Sequence, residues 1–191
     1  MTAASLVDVV VKVGGALLAD PVHIDGVLAA LDAAADASRL LIVPGGGPFA
    51  DAVRDVDRRI GLTDDAAHWM AVLAMDQYAH LLASRLSLAT LVWDPGDIAT
   101  ALGRRRLPVL APSRWLREAD PLPHSWDVTS DSIAAWVAGA VGAARLVLVK
   151  PPGVGTEAVD AYFHRGIPAE IGTPAIVPAD QIATLRRCLT I

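Results

Sequence analysis

A single cysteine in 191 residues, Cys188, rules out an internal disulfide and a cysteine-based metal cluster, so it reads as a structural thiol. No apolar run reaches the ~20 residues of a membrane-spanning helix, although hydrophobic residues make up 53% of the chain. Alanine and valine supply most of that excess over the usual globular share. The opening residues Met1-Thr2-Ala3-Ala4-Ser5 carry no basic segment before the first apolar stretch, which argues against a secretory signal. Positive charge is also scarce. The formal net charge of -5 leaves no electrostatic footprint for nucleic acid, and Arg104-Arg105-Arg106 reads as a solvated turn after a helix. The expectation is a soluble, cytoplasmic protein with neither nucleic-acid nor membrane partners.

What is present is more pointed. Val9-Val10-Val11-Lys12-Val13-Gly14-Gly15 is repeated in kind by Leu40-Leu41-Ile42-Val43-Pro44-Gly45-Gly46-Gly47. Each is a short buried-strand pattern that ends in glycines and passes into a helical pattern. Glycine at a strand-to-helix turn lets backbone N–H groups approach an anion without a Cβ in the way. Lys12 adds a cation beside the first turn. Neither turn matches GxxxxGK[ST] or GxGxxG, and each alone has a purely structural reading. Two in series, with a lysine, point to a polyphosphate.

Helical spacing predicts helices over about 22–37, 48–60, 64–86, 97–102, 129–141 and 179–189. Between them lie strand patterns at 40–43, 88–93, 107–110, 146–149 and 175–177. Thr63 is placed to cap the long third helix, with Asp64 and Asp65 in its first turn. Residues 111–126 read as loop with one helical turn, and 155–174 as loop or short hairpin. This alternation predicts an α/β fold: a three-layer sandwich whose central sheet is mainly parallel. Ligands in such sheets sit outside the carboxyl ends of the strands, where both glycine turns and Lys150 fall.

Lys12 and Lys150 each end an apolar strand, a costly place for an ammonium unless it is paired or faces an anion. Asp131 begins the helix that feeds the Lys150 strand. Ordinary helix-start chemistry accounts for Thr129 and Asp131; the functional alternative places Asp131 between the two lysines. Asp76 stands on an apolar stripe with Val72 and Trp69, where a carboxylate needs a partner. His68 stands near the start of the same helix. Trp69, Trp126 and Trp136 read as core.

In order along the chain, Lys12-Val13-Gly14-Gly15, Pro44-Gly45-Gly46-Gly47 and the Asp127–Asp131 helix start resemble the amino acid kinase family. Within it, Gly61 to Met70, Ala74 to Tyr78, Trp126 to Ser132 and Val159 to Phe163 are similar to kinases of methanofuran-type cofactor synthesis. These act on an aminomethyl-furanmethanol phosphate. The resemblance implies one kinase domain over 1–191. About 1–120 would be an acceptor-binding lobe and about 121–191 a nucleotide-binding lobe, short for the family. It implies ATP with Mg²⁺ carried on the nucleotide and no metal site of the protein's own. Lys12, Asp131 and Lys150 would be catalytic. Gly14, Gly15, Lys150 and Gly153 would hold nucleotide phosphate. Gly45, Gly46, Gly47, His68, Asp76 and Asp127 would hold the acceptor, with His68 meeting its phosphate as a protonated or hydrogen-bonding imidazole.

The expected activity is transfer of the γ-phosphoryl group of ATP to a small phosphorylated acceptor, by positioning and charge neutralisation. A homo-oligomer, a dimer or larger, is expected. Two alternatives stand: a same-fold kinase of a carboxylate, carbamate or isoprenoid phosphate, and a catalytically weak nucleotide- or anion-binding protein.

Overall fold

The computed structural model describes residues 5–155, 158–167 and 171–191. Six strands form one all-parallel sheet in the order β3-β4-β2-β1-β5-β6. They are β1 Val9–Val13, β2 Leu40–Pro44, β3 Ala89–Val92, β4 Leu107–Leu110, β5 Arg145–Lys150 and β6 Ala175–Pro178. The helices are α1 Pro21–Ala34, α2 Gly47–Ile60, α3 Asp64–Arg85, α4 Pro95–Gly103, α5 Ser113–Ala119, α6 Ser130–Ala140, α7 Phe163–Gly166 and α8 Ile182–Leu189. A 3₁₀ turn, Gly15–Ala19, joins β1 to α1. This is the three-layer α/β sandwich that the alternation of patterns called for.

Two apolar cores cover the two faces of the sheet, and strand parity sorts residues between them. Val9, Val11 and Val13 of β1, with Val147 and Val149 of β5, pack against α1 and α8. Val10, Leu146 and Leu148 pack on the opposite face against α6, through Ile133, Ala134 and Val137. Lys12 and Lys150 share the parity of this second set. The fold therefore turns both lysines toward α6.

Local chemistry explains most element ends. Thr63 Oγ1 accepts from Ala66 N at 3.2 Å and caps α3. Gly61 closes α2 with φ of +68°, a conformation costly for residues with a Cβ. Two expectations change. Residues 113–119 form a seven-residue helix, whose first amide, Ser113 N, bonds Asp76 Oδ1 at 3.1 Å. Within 155–174, expected as loop or short hairpin, the described residues hold the four-residue helix α7, while 156–157 and 168–170 lie outside the described residues.

Candidate functional site

The chain contains two lysines, and they meet on one carboxylate. Lys12 is the penultimate residue of β1 and Lys150 the last of β5. Lys12 pairs in register with Leu148, so Lys150 stands on the neighbouring strand two residues further on. That separates the strand positions by about 4.8 Å across the sheet and ~6.6 Å along it, a gap one carboxylate can bridge with two long side chains. Asp131, in the first turn of α6, does so. Its Oδ1 lies 2.8 Å from Lys12 Nζ, and its Oδ2 accepts a hydrogen bond from Lys150 Nζ. Asp131 and Lys12 are buried, at 3% and 5% exposure.

Electrostatics follow from that burial. Desolvation pushes the Lys12 ammonium below its ordinary range, Asp131 opposes the shift, and the Lys150 charge adds to it. For Asp131, burial pushes upward, but Lys12 and Lys150 together outweigh it and hold the carboxyl below its usual range. Two lysine side chains thus share one buried carboxylate at the wall of a cavity, whose lining also includes Arg54, Asp51 and Asp64. An isolated buried cluster of this kind is costly; a bound polyanion would offset it.

Asp160 holds this arrangement in place, a role that nothing in the local spacing signalled. Its carboxylate accepts from Thr129 N (3.0 Å), Thr129 Oγ1 (2.8 Å) and Ser132 N (3.0 Å), and from Ser132 Oγ. A segment after β5 thus caps α6 and orients the turn carrying Asp131. Asp160→Ala is expected to cost about 1–2 kcal/mol of stability, as loss of a helix cap does. Urea unfolding measures this, and an unchanged midpoint would deny the cap its weight.

The two glycine turns press against each other. A Cβ on Gly15 would lie 2.0 Å from Gly47 N, and one on Gly45 would lie 2.5 Å from Gly15 N. Glycine is therefore required by turn-to-turn packing as well as by any ligand. No carbonyl of the described residues takes the amides of Gly15, Gly46 or Gly47. These donors, beside the two lysines, could hold phosphate oxygens.

A cavity of about 240 Å³ opens in front of the lysine pair. Lys12, Lys150, Asp131, Gly15, Gly46, Gly47 and His68 line it. Trp126 and Arg54 line it too. The Arg54 guanidinium lies 4.9 Å from the centre of the Trp126 ring, whose Nε1 donates to Asp57 Oδ2 at 2.8 Å. Trp126 is thus a wall of the cavity, where the sequence reading put it in the core; its length of loop gave no periodicity from which to learn otherwise. Trp136 packs on Trp115 as core.

Other expected site residues lie outside the cavity lining. Asp76 is spent on Ser113, whose N and Oγ both donate to it. Gly14 N bonds Val149 O, and Gly45 N bonds Val13 O. Asp127 is exposed. Gly153 sits in a turn with φ of +75° and open space around its Cα.

His68 is buried, and desolvation, helped by the nearby His124, lowers its pKa from 6.5 to about 4. Of the two forms anticipated for it, the neutral hydrogen-bonding imidazole is the one this environment favours near neutral pH. The unfolded chain takes up that proton near pH 6.5 and the folded chain only near pH 4. Stability should accordingly fall as pH drops through this window and recover as it rises. His68→Gln should flatten that portion of a pH series of urea unfolding curves. A variant curve as steep as the parent's would count against the shift.

No described helix is long and apolar enough to cross a membrane. Comparison with known proteins agrees with the geometry. Over 130 residues the chain is 29% identical to the [5-(aminomethyl)furan-3-yl]methyl phosphate kinase of Methanocaldococcus jannaschii, covering 67% of this chain and 58% of that protein. The chain therefore spans under two-thirds of that relative's length. Among solved structures, uridylate kinase from Archaeoglobus fulgidus superposes with a TM-score of 0.70 at 16% identity, covering 94% of this chain and 95% of that one. UMP kinase from Bacillus anthracis does so with a TM-score of 0.68 at 14% identity, covering 95% and 91%. At such identities the structural likeness speaks for the fold. A model of the amino acid kinase family matches residues 9–151, three-quarters of the sequence, with both lysines, both glycine turns and Asp131 inside the match. The chain belongs to the amino acid kinase family.

Proposed function

We propose that the protein is an ATP-dependent phosphotransferase acting on a small phosphate monoester, of the class of [5-(aminomethyl)furan-3-yl]methyl phosphate. The observation that carries this reading is the meeting of Lys12 and Lys150 on Asp131, at a cavity walled by both glycine turns. Two acidic phosphates brought together need their charge neutralised before one can attack the other. Lys12 and Lys150 supply that charge at the junction, and Asp131 fixes both ammonium groups so that little reorganisation accompanies transfer.

ATP would place its phosphates against Lys150 and the free amides of the Gly15 turn. Mg²⁺, arriving with the nucleotide, would share the neutralisation of its phosphate charge. The acceptor would lie toward Gly46, Gly47 and the start of α3, with His68 offering one donor and one acceptor from a neutral ring. This division makes residues 1–120 chiefly the acceptor side and 121–191 chiefly the nucleotide side.

The test is incubation with Mg-ATP and the aminomethyl-furan phosphate, following ADP release and the ³¹P signal of a new diphosphate. Acceptor-dependent ADP with that signal supports the reading. ADP with a carboxylate, carbamate or isoprenoid phosphate in its place reassigns the acceptor. Nucleotide binding without ADP on any of them makes the protein a binder.

A further inference from the structure

Besides the two lysines, a guanidinium borders the cavity, and it is held in place before any ligand arrives. Gly47, Ala50, Asp51 and Arg54 fall at helical spacing along the face of α2 that lines the cavity. Helical side chains lean toward the start of their helix, so Arg54 reaches back toward the Gly46-Gly47 turn. Its Nη1 donates to Asp51 Oδ1 at 2.9 Å, three residues nearer that turn. Its guanidinium carbon stands 4.9 Å from the centre of the Trp126 ring. Trp126 is itself tied down: its Nε1 donates to Asp57 Oδ2 at 2.8 Å, and Asp57 Oδ1 accepts from Leu62 N at 2.8 Å. The loop before α6 is thereby joined to the turn between α2 and α3, and Arg54 rests on the joint. Only Asp51 takes a hydrogen bond from Arg54 among the described residues, so most of its five N–H groups stay available.

Resting on the phosphotransferase reading above, we propose that Arg54 binds the acceptor's phosphate and that Trp126 is its positioning residue. Asp51 and Asp64 line the cavity too, so net charge does not place a phosphate here; directed donors do. Arg54 supplies a planar fork of them, which matches phosphate oxygens better than a point charge does. The amides of Gly46 and Gly47 add to the set. The acceptor oxygen that bonds to the γ-phosphorus of ATP, as ADP leaves, must face Lys12 and Lys150. The remaining oxygens of the same phosphate are then free to take Arg54 and these amides. Ala71, Val72 and Met75 of α3 give the cavity an apolar side along which the rest of the acceptor lies. A guanidinium already stacked and bonded loses less freedom on binding, which is what the Trp126 ring contributes.

Arg54→Met keeps an unbranched stem and removes the fork. The chain should still fold, because the Arg54–Asp51 pair is solvent-exposed and such pairs add little stability. Steady-state kinetics with Mg-ATP and the aminomethyl-furan phosphate should show the acceptor KM raised ~10–100-fold, the scale of hydrogen bonds to a charged group. The kcat and the KM for ATP should hold. Arg54→Lys should recover only part of the loss, since it restores a charge without the fork. Calorimetric titration of the corresponding alcohol, which lacks the phosphate, should give the same affinity for parent and Arg54→Met. Trp126→Leu should raise the acceptor KM by about 2–5-fold, as loss of a partly exposed cation–π contact does. In the Arg54→Met background the same change should add nothing, because the residue that it positions is gone.

An unchanged acceptor KM in Arg54→Met, an equal rise in the KM for ATP, or an equal loss of affinity for the alcohol overturns the assignment of Arg54. A Trp126→Leu effect as large without Arg54 as with it overturns the positioning. If no acceptor yields ADP, the phosphotransferase reading falls separately. Titration of the full chain with inorganic phosphate, followed by its ³¹P line width, then decides alone. Phosphate binding that weakens in Arg54→Met supports the site; equal binding by parent and variant, or none by the parent, overturns it.

Discussion

Lys12→Ala is expected to lower turnover by ~10²–10³-fold, the usual loss when one preorganised electrostatic group is removed from a transferring centre. The fold should survive. Asp131 keeps its hydrogen bond to Lys150, so no buried carboxylate is stranded, and a desolvated ammonium is removed along with its penalty. The loss should appear in kcat with both KM values little changed, because the charge that Lys12 meets grows only as the phosphoryl group moves. Lys12→Arg should not restore activity: Lys12 is 5% exposed, and a planar guanidinium is larger than the ammonium it would replace. Near-native ADP production by Lys12→Ala would take Lys12 out of the mechanism.

Asp131→Asn should reduce turnover at least as much, and the structure adds a cost in stability. From the sequence, Asn keeps the shape of Asp131 and much of the helix capping, so a small change in Tm is expected. The folded chain shows instead that one carboxylate holds two ammonium groups, both of them largely buried. Breaking a buried pair by removing one partner typically costs about 3–5 kcal/mol. Part of that is relieved if Lys12 gives up its proton, toward which burial already inclines it. The deficit in Tm relative to the parent should therefore shrink as pH rises and Lys12 becomes neutral.

The parent obeys a complementary rule. The Asp131 carboxyl is held below its unfolded range, so its contribution is present above that range and lost as pH falls through the lowered value. Thermal melts across pH for parent and variant check both signs. A variant that melts like the parent and still turns over would leave Asp131 as a helix-start residue and nothing more.

The strands and most helix ends were legible in the chain because local forces decide them. Buried parallel strands are short β-branched runs, Thr63 caps α3 through its own hydroxyl, and Gly61 takes a backbone angle costly for residues with a side chain. Lys12 and Lys150 were legible as anomalies, since an ammonium at the end of an apolar strand demands a reason. Asp76 was legible as an anomaly too, but the same logic did not identify its partner. Ser113, 37 residues on, answers it, so an unpaired carboxylate on an apolar stripe can signal a tertiary hydrogen bond as readily as a ligand.

From residue types and periodicity alone, the chain settles its parallel layered architecture, the family likeness and the two lysines that must be accounted for. Only the tertiary structure decides that those lysines converge. Strand register and parity turn both toward α6, and residues more than a hundred positions apart come to share one carboxylate. It also decides that Asp160 caps α6, that Trp126 and Arg54 wall the cavity, and that His124 stacks on His68. Each of these depends on where a loop lands. Loops carry no periodicity, so their partners emerge only once the strands and helices around them are in place.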